Sequence, residues 1–240
     1  MPARKRQTSV PAFGTAGLLD EIKAVPAVAA EDGLFSALWR YDQAIGQRPL
    51  AGLDEAGRGP LAGPLVAAAV ILPPDFDSRF VADSKKLSPK AREKAFELVA
   101  RSALALAFSV KTAAEVDSLN PLRASMLAMA ESLEKLSVSP AFALFDGNCL
   151  PDTPVRGRAV VSGDALSLCV AAASIVAKVT RDNLMMEAHR AYPEYGFDVH
   201  KGYGTKSHLA ALERHGPCPI HRLSFRGTAK PAPPANRLFP

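Results

Sequence analysis

The feature that most constrains this chain is a pair of apolar runs joined by glycines, "LAGLDEAGRGPLAGPLVAAAVIL" from Leu50 to Leu72. Leu50 to Leu53 and Leu65 to Leu72 read as strands, and their apolarity is continuous rather than alternating. Strands of that kind are buried on both faces, so layers must cover the sheet above and below. Neither this run nor the later one from Leu168 to Ala173 approaches the ~20 apolar residues that cross a bilayer. The first strand ends in two adjacent negative charges, Asp54 and Glu55, a costly way to leave a core unless the charges are used.

The remaining pattern supplies the covering layers. Residues 31 to 45 place Leu34, Phe35, Leu38 and Ile45 at near-helical spacing, which predicts a short amphipathic helix before the first strand. Ser88 and Asn120 are N-cap candidates, each followed by a proline at the first helical position. The helix after Asn120 carries Leu122, Met126, Met129 and Leu133 as an apolar stripe, read as core packing. Between these helices "ALALAFSV" at 103 to 110 is a third strand. "AFALF" at 141 to 145 is a fourth strand, running into Asp146, and "AVV" at 159 to 161 is a short fifth, running into Gly163 and Asp164. A long helix from about Leu166 to His189 and another from Thr205 to His215 complete the order. Early strands joined directly, then strands alternating with helices, predict an α/β fold with a mixed sheet of about five strands between helical layers.

Four carboxylates, Asp54, Glu55, Asp146 and Asp164, therefore sit at strand ends. Singly they have plain readings: a solvated turn for Asp54 and Glu55, a turn residue for Asp146 before Gly147, a helix cap for Asp164. Neighbours within a strand point to opposite faces, so Asp54 and Glu55 share a site only if the strand ends there and the chain turns. Together, however, the carboxyl ends of strands in an open α/β sheet converge on its usual binding crevice. Carboxylates ~5 Å apart repel by about 3 kcal/mol per pair at an effective dielectric of ~20. Hard oxygen donors without His or Cys select Mg²⁺ or Mn²⁺, and two such ions suit in-line phosphoryl displacement.

The ordered segments "AGLDEAGRGPLAGPLVAAAVIL", "DSKKLS", "LNPLRASMLAM", "FDGN", "GDALSLCVAAASIVAKVTRD", "HKGYGTKSHLAALERHG" and "PIHRLSF" resemble bacterial ribonuclease HII from about residue 48 to 226. That resemblance implies a ribonuclease H-like three-layer fold with C-terminal helices, and an endonuclease that hydrolyses the RNA strand of RNA/DNA hybrids. It also implies cutting 5′ of single ribonucleotides embedded in duplex DNA, leaving 3′-hydroxyl and 5′-phosphate ends, with Mg²⁺ or Mn²⁺ and two ions in the catalytic complex. The family's metal-binding acids fall on Asp54, Glu55, Asp146 and Asp164, its 2′-hydroxyl reader on Gly57, Arg58 and Gly59, its phosphate contacts on Ser84 and Lys85, and its junction-sensing tyrosine on Tyr203. A glycine lets main chain approach a ribose, and the 2′-hydroxyl is the local mark of RNA. Ser162 stands before the Gly-Asp pair where lysine is common in the family.

The charge of +5 suggests a polyanionic partner, but it is concentrated in Arg4, Lys5, Arg6, Arg226, Lys230 and Arg237, and the stretch between is slightly acidic. Basicity is thus weak evidence by itself, and a non-catalytic nucleic-acid binder or a metal-dependent small-molecule phosphatase stand as alternatives. The expected organisation is a disordered basic extension over residues 1–30, a catalytic domain over 31–226 and a disordered proline-rich tail over 227–240. The extension could alternatively be an organelle-targeting peptide. Cys149, Cys169 and Cys218 have neither disulfide nor metal-ligand spacing, so a reducing cytoplasm is expected, and the family resemblance implies a monomer. The histidines have no zinc spacing that the acids support, and His200 and His208 are the best placed to approach substrate. Lys178 and Asp182, four apart on the long helix, suit an ion pair.

Overall fold

A computed structural model describes residues 37–81 and 87–228. Five strands, β1 (Leu50–Ala56), β2 (Leu65–Ile71), β3 (Ala105–Lys111), β4 (Phe142–Asp146) and β5 (Gly157–Val160), form a single sheet ordered β3-β2-β1-β4-β5. β1, β2 and β3 are antiparallel neighbours, while β4 is parallel to β1 and β5 is parallel to β4. The expected mixed sheet and α/β architecture are therefore present.

The helices are α1 (Ala37–Ile45), α2 (Pro89–Ser102), α3 (Ala113–Leu119), α4 (Pro121–Glu134), α5 (Leu168–Ala191), α6 (Phe197–His200) and α7 (Lys206–His215). Ser88 caps α2 by accepting from the Ala91 amide, and Asn120 caps α4 by accepting from Leu122 and Arg123. The sequence reading overlooked α3, which Thr112 and Glu115 start with a reciprocal capping box. Asp117 of α3 accepts from the amides of Leu223 and Ser224 and so anchors the far end of the described chain.

Alternation along β1 divides the core in two. Leu50 belongs to the cluster with α1, α2 and α5, whereas Ala51 and Leu53 belong to the cluster with α4. β2 is buried at every position. Gly52 is required by α5: a Cβ there would lie 2.1 Å from the Cys169 carbonyl carbon, so the helix backbone rests directly on the strand. The stripe expected on α4 needs correction. Met129 and Leu133 are buried, but Leu122 is 41% exposed, and the sheet-facing side is instead made of Ala124, Ser125, Ala128 and Ser132. Small residues let α4 sit close to the sheet and push the longer side chains to its flank.

Candidate active site

β1 does not stop before the acids but runs through Ala56, with Asp54 opposite Ala68 and Glu55 opposite Ala67 on β2. This corrects the expectation that a turn brings the two carboxylates to one side. By alternation Asp54 faces α5 and Glu55 faces α4. Asp146 follows Phe145, which pairs with Leu53, and lies on the same face as the α5-facing Leu144. Asp54 and Asp146 are thus side by side on adjacent parallel strands, whose axes are separated by ~4.8 Å.

Asp54 is only 5% exposed, which excludes the solvated-turn reading. Burial, then the charges of Asp146 and Glu55, hold its carboxyl well above the usual carboxylate range, against hydrogen bonds from Ser174 and the Glu55 amide. The Glu55 carboxyl is also raised by burial, although Arg58 lies 3.4 Å away and opposes the shift. Asp146 Oδ1 accepts from the Gly163 amide at 2.7 Å, tying the end of β4 to the turn that carries Asp164. Asp164 is buried within the 3-10 turn Gly163–Ala165, and the cap of α5 is Ser167 rather than Asp164. Among the described residues, no three Asp, Glu, His or Cys side chains are gathered tightly enough to hold an ion between them. Their chemistry nevertheless fits one: a buried carboxylate kept near two others is an excess of negative charge made of hard oxygen donors.

The glycine-rich connection after β1 is held from behind by two arginines that sequence reasoning missed. Arg222, fully buried, donates to the carbonyls of Gly57, Arg58 and Gly63. Arg181, also fully buried, donates to the carbonyls of Pro64, Ala62 and Lys201. Burial lowers the pKa of both guanidiniums, that of Arg222 to about 10. A signal for Arg181 did exist, since it continues the buried positions Ala177 and Met185 at helical spacing on α5. Arg222 lies outside any regular element, in the segment "PIHRLSF", where no helical or strand periodicity marks it as buried.

Gly57 and Gly59 are glycine for different reasons. Gly57 has φ +101°, and a Cβ there would meet Arg181 Nε at 2.3 Å. At Gly59 a Cβ would meet nothing within 4 Å, so neither packing nor a left-handed backbone explains it. Arg58 projects between them with its side chain 49% exposed.

Tyr203 lies on the segment between α6 and α7 and is 45% exposed. Arg181 joins it to the glycine loop, donating to the Lys201 carbonyl and lying 5.7 Å from the Tyr203 ring centre. The Gly202 carbonyl accepts from the amides of Leu61 and Ala62, so the two loops form one body. His200 and His208 are buried beneath this segment rather than presented to solvent. Lys178 and Asp182 form the expected ion pair at 2.7 Å. Ser84 and Lys85 lie outside the described residues, as do the segments 1–36 and 229–240.

Known proteins resemble this chain in sequence and fold. The sequence profile of ribonuclease HII matches residues 51–228. Ribonuclease HII of Burkholderia mallei strain SAVP1 is 53% identical over 176 residues, covering 73% of this chain and 82% of its own. That of Syntrophotalea carbinolica is 51% identical over 182 residues, covering 76% and 87%. Among solved structures, ribonuclease H2 from Pyrococcus horikoshii OT3 superposes with a TM-score of 0.65 at 28% identity, covering 75% of this chain and 94% of that one. Ribonuclease HII from Archaeoglobus fulgidus, solved in complex with PCNA, gives 0.58 at 28% identity, covering 69% and 87%. The chain belongs to the ribonuclease HII family and is a ribonuclease H, a hydrolase that cuts the RNA strand of RNA/DNA hybrids.

Proposed function

We propose that this ribonuclease H also cuts duplex DNA 5′ of a single embedded ribonucleotide, using two divalent ions held among Asp54, Glu55, Asp146 and Asp164 and leaving 3′-hydroxyl and 5′-phosphate ends. The observation that carries this reading is the placement of Asp54 and Asp146 on one face of adjacent parallel strands, with Asp54 buried and its carboxyl raised. A cation relieves that repulsion, and oxygen donors favour Mg²⁺ or Mn²⁺. Such ions, when bound, supply a nucleophilic water near neutral pH and charge neutralisation at the leaving oxygen.

The chain's own groups do the rest. Gly163 holds one oxygen of Asp146, so the carboxylate presents a defined edge to the crevice. Arg58 pairs with Glu55 and is half exposed, placed to exchange that partner for a phosphate. The open space at Gly59 admits a ribose against the main chain, where its 2′-hydroxyl is read by hydrogen bonding. Tyr203 contributes an exposed ring for the sugar at the RNA–DNA junction, and Ser84 with Lys85 adds sequence-independent phosphate affinity. The enzyme acts as a cytoplasmic monomer. The described residues contain no helix long and apolar enough to cross a membrane.

The test compares a duplex carrying one ribonucleotide with an all-RNA/DNA hybrid, each with Mg²⁺, Mn²⁺ or chelator. Cleavage 5′ of the ribonucleotide that needs the ion is expected. Cleavage that persists in chelator, or that leaves a 5′-hydroxyl, overturns the proposal. Removing residues 1–30 and 227–240 should leave this cleavage intact, whereas a tail-driven binder would lose its affinity.

A further inference from the structure

Beneath Tyr203 lie three histidines with no part in the reaction as described, His200, His208 and His221, all buried. The segment above them has an unusual backbone, with Lys201 at φ +51° and Gly202 at φ +85° in succession. Such a shape must be held by its surroundings. His208 Nδ1 lies 2.9 Å from the Tyr203 carbonyl, and His200 Nδ1 lies 3.2 Å from the Gly202 amide.

The partners determine each ring's proton. A carbonyl only accepts, so His208 carries hydrogen on Nδ1. Its Nε2, 3.0 Å from His221 Nε2, must then accept if the ring is neutral, so His221 donates from Nε2. His221 Nδ1 is left bare and accepts from the Cys218 amide at 2.9 Å. His200 Nε2 faces the Tyr195 carbonyl at 2.7 Å and must donate, which leaves its Nδ1 to accept from Gly202. The Cys218 carbonyl, 3.2 Å from His221 Nδ1, offers that nitrogen a poorer alternative, but an Nδ1–H donated there would leave the closer Cys218 amide without its acceptor, so neutral rings serve the network best. Burial supports that state, holding His208 below its usual pKa and taking His221 down to about 4, and His200 and His208 stack at 4.4 Å, where two charges would repel.

We propose that His208 and His200 are positioning residues of this enzyme: with fixed tautomers they clamp the main chain of Tyr203 and Gly202, so the exposed ring is presented to the sugar in one place. The proposal rests on the reading of Tyr203 as a substrate contact. His221 sets the tautomer of His208, and Cys218 sets that of His221, so the clamp extends to the segment after α7.

The experiment measures kcat and KM on the single-ribonucleotide duplex for His208→Ala and His208→Asn, each with Tyr203 intact and with Tyr203→Ala. The Asn amide can replace the Nδ1–H donor. With Tyr203 present, His208→Ala should lower kcat/KM about tenfold, mainly through kcat, and His208→Asn should recover most of the loss. With Tyr203→Ala the same substitution should add less than about twofold. Equal losses in both backgrounds, or no loss with Tyr203 present, overturn the histidine clamp alone. Unchanged cleavage by Tyr203→Ala itself overturns the reading of Tyr203. Should His208→Ala fail to fold, nitrogen NMR of the wild-type histidines decides the matter at neutral pH: Nδ1–H on His208 with Nε2–H on His200 and His221 is expected, and any other tautomer or a charged ring overturns the clamp.

Discussion

Asp54 and Arg222 are both buried charges, yet they are treated in opposite ways. Asp54 feels two like charges, Asp146 beside it and Glu55 next in the chain, and its carboxyl is pushed upward, chiefly by burial. Arg222 donates to three backbone carbonyls and shapes the glycine loop. The strand-end acids are held near like charges, the excess that a cation would relieve under the proposed function. The arginine and histidine side is satisfied within the protein, which makes it rigid. One region thus holds like charges together, and its neighbour is held rigid by satisfied hydrogen bonds; under the proposed function the first would serve chemistry and the second recognition.

The comparison breaks most severely if Asp54 is neutralised. Asp54→Asn should reduce cleavage on the order of 10³-fold while raising Tm in chelator by roughly 2 to 4 °C, because a buried, repelled charge is removed. Mg²⁺ should raise the Tm of the wild type and not of the variant, as expected when a ligand binds only the native acids. A variant that lost activity and also stability would show that Asp54 is structural.

On the other side, Arg222→Met leaves the carbonyls of Gly57, Arg58 and Gly63 without their donor. Urea unfolding should report a loss of about 3 kcal/mol. Within the loop, Gly57→Ala should cost about 2 kcal/mol, since its backbone is left-handed and its Cβ would strike Arg181. Gly59→Ala should stay within ~0.5 kcal/mol of wild-type stability yet lower kcat/KM on ribonucleotide substrates about tenfold. Equal activity for Gly59→Ala would show that no ribose approaches there.

The smallest effect sharpens the contrast through pH. His221 falls from 6.5 to about 4 on folding, so its contribution is present above 6.5 and is lost as pH drops through that window. Asp54 is raised instead, so the folded state takes up its proton more readily and gains relative stability on acidification. In chelator, the Tm of Asp54→Asn should therefore fall more steeply between pH 7 and 4 than that of the wild type, by a few degrees. Parallel profiles would mean that Asp54 does not titrate differently in the folded state.

The chain order of the elements was legible because local devices mark it: prolines after Ser88 and Asn120, apolar runs of strand length, and acids where those runs end. Other features were not legible. The capping box that starts α3 is short and lies directly after β3, without a long apolar stripe to announce it. The α4 stripe was misread because close packing favours alanine and serine over bulk, so Leu122 lies outside. β1 was cut short because Asp54 and Glu55 looked like an exit from the sheet, whereas pairing with β2 continues through both.

By itself, then, the sequence determined the family, the two-sided burial of the sheet and the types of side chain available for catalysis, because hydrophobic spacing, caps and motif order are local properties. Only the tertiary structure decided that Asp54 shares a face with Asp146 while Glu55 takes the other, since strand pairing sets which residues become neighbours. The same holds for Arg222, whose partner Gly57 lies 165 residues away. A backbone carbonyl has no signature in the sequence, so the charge that holds the glycine-rich loop could be found only where the chain folds back upon it.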